Sequence, residues 1–218
     1  MTTLFRLDSS FRTEGSVTRA VADTIESTIV DDSDTQVVRR DVGLSPVPSD
    51  AWAASVTAGF VPEDTWTDEQ RTARALATTL ADEVIAADVL LFAVPMYNFG
   101  VAASFKTWFD LAITDPRLGP GADIPMKGRP ALLVTARGGG YGEGTPRAGW
   151  DHATGWMRRV LEDVWGLDLD VVETELTLAE VTPAMESLRD LAREQLAESH
   201  DAARAGARSV TVKLGAAV

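Results

Sequence analysis

The chain has 218 residues, 45% of them hydrophobic, no cysteine, and a formal net charge of −13 from 33 acidic and 20 basic side chains. Without cysteine there is no disulfide framework, thiolate nucleophile or thiolate metal site, and the acidity argues against nucleic acid or an anionic membrane surface as partner. No apolar run nears the roughly 20 residues of a bilayer crossing; the start MTTLFRLDSS lacks a signal peptide's basic head and apolar stretch, so a cytoplasmic protein with one domain over residues 1–218 is expected.

In chain order, TTLFRLD (2–8) reads as a first strand. A helix over 16–30 follows, with Val17, Ala20, Val21, Thr24, Ile25, Thr28 and Ile29 at 3- and 4-residue spacing on one face. The turn-rich DDSD leads into a second strand, TQVVRRDV (35–42). The stretch 43–66, broken by Pro46, Pro48, Gly59 and Pro62, carries a short helix at 49–57. A long helix spans 67–87, with Thr67 as N-cap and acidic residues in its first turn.

DVLLFAVP (88–95) is an uninterrupted apolar run, as expected of a central parallel strand covered on both faces. A helix at 101–113 and a polar loop to about 128 precede another buried strand, RPALLVTAR (129–137), which ends in GGGYGEGTP. A Trp-rich helix at 149–165, a last strand LDLDVVETEL (167–176) and a last long helix at 183–207 complete the pattern. Five strands alternating with helices imply α/β: a doubly wound five-stranded parallel sheet with helices on both faces.

In such sheets a ligand lies beyond the carboxyl ends of the strands, and three of those ends carry unusual residues. After the first strand, Ser9, Ser10, Gly15, Ser16 and Thr18 converge on a helix N-terminus. Hydroxyls and free amides there suit a phosphate; equally, Ser16 suits an N-cap and the other serines turn positions. No G-x-x-x-x-G-K-[ST] or G-x-G-x-x-G occurs, so a monophosphate fits this turn better than a pyrophosphate. After the third strand, Pro95, Met96, Tyr97, Asn98 and Phe99 would suit a planar, heteroatom-rich ring, the alternative being an aromatic cluster that packs a helix start. After the fourth, Ala136, Arg137, Gly138, Gly139, Gly140 and Tyr141 let backbone approach a ring edge, with Arg137 available to negative charge beside it; a plain surface loop is the other reading.

PMYNF, followed by a helix with FK and FD, ARGG one strand later and SS…SVT at the start, resembles the flavodoxin-like FMN-dependent NADH:quinone oxidoreductases, also called FMN-dependent NADH-azoreductases, over essentially the whole chain. The resemblance implies a flavodoxin-like homodimer with one FMN per subunit near the dimer interface. By position, Ser10, Ser16, Val17 and Thr18 would hold the FMN phosphate, and Met96, Tyr97, Asn98 and Phe99, after Pro95, would line the isoalloxazine. Ala136, Arg137, Gly138 and Gly139 would meet its pyrimidine side, and Tyr141 or a nearby Trp would cover the substrate. Two residues depart from the family pattern: Ala136 where Ser is frequent, and Ala102 where a Pro often opens the helix.

The resemblance further implies NADH or NADPH as co-substrate and a quinone, azo or nitroaromatic acceptor. It implies no catalytic side chain, since the chemistry belongs to the flavin. His152 and His200 have no partners at metal-binding spacing and read as surface or interface residues, and Lys106 reads as solvated. The rival reading from another class is a non-enzymatic flavodoxin-like electron carrier.

Overall fold

The computed structural model describes residues 1–216; the last two residues of the expected 1–218 unit lie outside the described residues. Its elements in order are β1 (Thr2–Asp8), α1 (Val17–Asp32), β2 (Thr35–Asp41), α2 (Ala51–Ala58), α3 (Asp68–Ile85), β3 (Val89–Ala93), β4 (Met96–Tyr97), β5 (Gly100–Val101), α4 (Ala103–Ala112), β6 (Pro130–Ala136), α5 (Thr154–Arg158), β7 (Asp168–Thr174) and α6 (Arg189–Ala216).

The expected doubly wound sheet is present. All its pairings are parallel, in the order β2-β1-β3-β6-β7. Every residue of β3 is buried, because helices cover both faces of this central strand. On one face Phe5, Phe92, Phe105, Trp108 and Trp165 form the core with α3 and α4; on the other, Leu4, Leu91, Val134, Val21 and Ile25 pack with α1 and α6. At a rough 1.5–3 kcal/mol for each large apolar side chain, these two layers drive folding. Among the described residues no helix is long and apolar enough to cross a membrane.

Several boundaries differ from expectation, each for a local reason. Thr67 does cap α3, through a reciprocal capping box with Gln70. The helix expected at 101 starts at Ala103, because Gly100 and Val101 pair back onto Tyr97 and Met96. The helix expected at 149 starts at Thr154: Gly149 has φ +79°, and Asp151 Oδ1 accepts the amides of Ala153 and Thr154 instead. Its second half, Arg159–Val164, winds as a π-helix, with Trp165 N bonding Val160 O at 3.1 Å. The last helix begins with a 3₁₀ turn at Pro183–Leu188 and runs to Ala216 rather than ending near 207. Gly206 does not stop it; a Cβ there would sit 2.8 Å from Leu132 Cδ2, so the missing side chain brings α6 close to the sheet. The last strand ends at Thr174, and α1 continues through Asp31 and Asp32.

Candidate functional site

At the carboxyl edge of the sheet, the loops after β1, β3, β6 and β7 surround an open cleft of about 140 Å³. Its lining includes Ser10, Arg12, Gly15, Ser16, Val17 and Thr18 from the first loop, Pro95, Met96 and Tyr97 from the second, Ala136 and Gly138 from the third, and Thr177 and Leu178 from the fourth. Strand order reverses between β1 and β3, so the cleft occupies the switch point.

The first loop is held from behind. Ser9 N donates to Ala93 O at 2.9 Å, and the Ser9 and Ser104 hydroxyls meet at 2.7 Å, tying the loop to β3 and α4. Arg19 Nη2 donates to Ser10 O at 2.7 Å while its Nη1 reaches Asp41 at 2.8 Å. Burial alone would raise the Asp41 pKa, but the bonds from Arg19 and the Leu44 amide hold it below the usual carboxylate range. Beneath them Arg6 forms a bidentate pair with the buried Asp8, at 2.9 and 3.0 Å. Gly43 presses against the same carbonyl: an added Cβ would lie 2.1 Å from Ser10 O. Only glycine permits that approach.

Ser16 has a double role. Its Oγ caps α1 by accepting Arg19 N at 3.4 Å and lies 3.3 Å from the Thr18 hydroxyl. In this first turn the amides of Val17 and Thr18 have no intrahelical acceptor, and Arg12, whose guanidinium lies 5.8 Å from the Phe11 ring centre, lines the same cleft. Hydroxyls, amides, a helix N-terminus and one cation form a donor set for a dianionic phosphate. Ser10 Oγ accepts Arg12 N at 3.2 Å and lies 3.3 Å from Tyr97 Oη, linking the phosphate end to the second loop.

That second loop is a strained hairpin. β4 and β5 are joined by Asn98 and Phe99 alone, at φ +49° and +67°. Two successive positive φ values match the twist of a tight hairpin, where Asn-Gly is favoured; a Phe in the second place is an outlier, and such strain gathers at functional sites. Asn98 and Phe99 stand outside the cleft lining. The Phe99 ring is 38% exposed and meets Trp150 at 5.5 Å and Tyr141 at 6.4 Å, and His152 N donates to Phe99 O at 3.0 Å. Pro95, Met96 and Tyr97 supply the apolar floor, and the Phe11 ring packs against Tyr97 at a tilt, with centroids 5.3 Å apart.

The third loop corrects one expectation. The Arg137 guanidinium does not face the cleft. It is 8% exposed and bound to Asp151 at 2.6 Å, to Glu173, and to Glu175 at 3.5 Å. Desolvation alone would depress its pKa, yet the three carboxylates raise it, so it stays charged. Its task is to fasten the 138–153 loop. Gly139 and Tyr141 are likewise absent from the lining; Tyr141 is buried, with its amide on Glu175 Oε1 at 2.9 Å. Gly138 and Ala136 do line the cleft, and a Cβ on Gly138 would meet Leu178 Cδ1 at 2.6 Å.

Sequence reasoning missed Arg12, Gly43, Thr177 and Leu178. A cation between two serines expected at the phosphate turn was a usable signal for Arg12; the other three depend on chain crossings that no local pattern announces. His200 bonds Thr24 through Nδ1 at 2.8 Å, Lys106 pairs with Asp110 at 2.6 Å, and no cluster that could hold a metal occurs among the described residues.

The family described as "Flavodoxin-like fold" matches residues 2–199. A Frankia alni protein named "FMN-dependent NADH:quinone oxidoreductase" is 37% identical over 210 residues, covering 95% of this chain and 99% of its own. A Streptomyces avermitilis protein of the same name is 35% identical over 218 residues, covering 99% and 100%. Among solved structures, an azoreductase from Bacillus anthracis superposes with a TM-score of 0.77 at 21% identity, over 96% of this chain and all of that one, which is a likeness of fold.

Proposed function

The chain belongs to the FMN-dependent NADH:quinone oxidoreductases of flavodoxin-like fold, and from that premise we propose that it uses FMN to reduce quinones and azo compounds with NADH. The observation that carries this reading is the pairing of a hydroxyl-and-amide turn at Ser10–Thr18 with the strained Met96–Val101 hairpin across one cleft.

The residues present fit FMN. Ser16, Thr18, the Val17 and Thr18 amides and Arg12 would take the phosphate, with Ser10 holding the turn in shape. The ring would rest on Pro95, Met96 and Tyr97, its edge against bare backbone at Ala136 and Gly138, where Cβ atoms are small or absent. Ala136 offers no hydroxyl to that edge, where main-chain groups would serve it. Bound FMN would supply the redox chemistry, taking hydride at N5 from NADH and passing two electrons to an acceptor in the same place, a ping-pong cycle. The protein's part is to orient the ring, to exclude water with Leu178 on one side, and to offer a stacking wall at Phe99 and Trp150.

We propose a homodimer as the working form, because Trp150 and Phe99 leave apolar rings exposed on one face; light scattering on the eluting protein reads its mass directly. The function itself is tested by absorbance. Flavin bands near roughly 375 and 450 nm that bleach with anaerobic NADH and return with a quinone support the proposal. Bands that NADH leaves untouched, or a colourless protein that takes up no FMN, contradict it.

A further inference from the structure

Arg147 is one of several cations in this acidic chain without a carboxylate partner, and it is the one set against the Phe99 ring. Arg6, Arg19, Arg117 and Arg137 each bind at least two carboxylates, whereas among the described residues no carboxylate lies within 4.0 Å of Arg147 and its guanidinium makes no hydrogen bond. Its position is nevertheless built. Trp150 N donates to Arg147 O at 3.0 Å, closing a turn that places both side chains against Phe99. The guanidinium lies 5.9 Å from the Phe99 ring centre, and Trp150 meets the same ring edge-on at 5.5 Å. An added Cβ on Gly139 would come 3.1 Å from Arg147 Nη1, so the bare glycine leaves the guanidinium room beside it. The nearby carboxylates Asp151, Glu173 and Glu175 are engaged by Arg137.

An unpaired arginine lying over an aromatic ring presents its planar donor fork to whatever ring stacks there, and that fork matches a carboxylate or sulfonate. We propose that Arg147 selects electron acceptors whose aromatic ring carries an anionic substituent. This rests on the function proposed above and deepens it: the acceptor's ring would stack at Phe99 and Trp150 while its anionic group meets Arg147. A chain of net charge −13 otherwise repels such molecules, and a local cation at the mouth offsets that field.

The test uses the FMN-loaded enzyme with saturating NADH and two azo dyes of one chromophore, one bearing a ring sulfonate and one neutral. The readout is the ratio of kcat/KM for the anionic dye to that for the neutral dye, in which the NADH half-reaction cancels. Arg147→Gln should lower this ratio about tenfold, as expected for loss of one charge-assisted contact near solvent, and Arg147→Lys should restore part of it. Added salt should lower the ratio in the wild type and leave it flat in Arg147→Gln. A ratio unchanged within about twofold in Arg147→Gln overturns the inference while leaving the reductase intact. So does a rise in the KM for NADH at constant ratio, which would put the anion on the nucleotide. If the wild-type enzyme oxidises NADH with neither dye nor any quinone, the proposed function itself is wrong.

Discussion

Replacing Gly43 by alanine probes the cleft without touching any group that faces a ligand. The new Cβ would begin 2.1 Å from Ser10 O, 2.5 Å from Ser10 C and 2.9 Å from Ser9 C, all backbone atoms. Ordinary contact begins at 3.4 Å, so the two segments must part by about 1.3 Å. Little can yield. Val42 N and Gly43 N both bond Asp8 O, Arg19 holds Ser10 O from the other side, and Ser9 is tied to Ala93. The strain should cost about 1–3 kcal/mol of stability, the usual penalty of overpacking. The displaced loop should also lose one or two phosphate contacts at about 1.5–3 kcal/mol each, raising the FMN dissociation constant at least tenfold. Titration by flavin fluorescence gives the affinity and thermal melting the stability. A variant that melts as the wild type and binds FMN within about twofold would refute the claim that Gly43 shapes this turn.

Ser16→Gly should retain the helix start at a cost of a few tenths of a kcal/mol while weakening FMN about tenfold through the lost hydroxyl; equal affinity would show that the hydroxyl only caps. Phe99→Gly removes about 1–2 kcal/mol of left-handed strain together with two aromatic contacts of about 0.5–1.5 kcal/mol each, so the melting temperature should barely move while kcat/KM for acceptors falls about fivefold. A loss of about 3–5 kcal/mol instead, typical of a core phenylalanine, would make the ring core rather than wall. Burial would raise the Asp151 pKa, but the Thr154 and Ala153 bonds and Arg137 hold it below its ordinary 3.8. That carboxylate therefore stabilises the 138–153 loop above about pH 4 and ceases to do so as acid protonates it at lower pH. The protection of the His152 amide, its exchange rate relative to the intrinsic rate at each pH, should drop below that point in the wild type and be low throughout in Asp151→Asn; protection unchanged down to about pH 3 would refute the role of this carboxylate.

The layers of the fold were legible because burial writes itself into the chain. VLLFA and ALLV are apolar on both faces, as only strands sandwiched between helices can be, and Thr67 with Gln70 spells its own cap. Ser16, Thr18, Met96 and Tyr97 could be placed at the cleft because strand ends define it. The ion pairs of Arg137 were not legible, since its partners Asp151, Glu173 and Glu175 come from two other segments. A guanidinium beside a glycine run looks the same in sequence whether it faces a ligand or a latch. The start of α5 was missed because the Trp-rich stretch 149–165 read as one helix, while Asp151 and Gly149 delay its start to Thr154.

The π-wound segment Arg159–Val164 fixes how many residues the chain must hold there. One extra residue has been absorbed within the winding, so that Trp165 still arrives between Trp108 and Phe109, 5.8 and 4.9 Å from their rings, before β7 begins. Deleting one residue would restore ordinary winding and turn everything beyond it by about 100°, swinging that indole out of its slot. The chain's length is thus set at this point by the seat of a single indole.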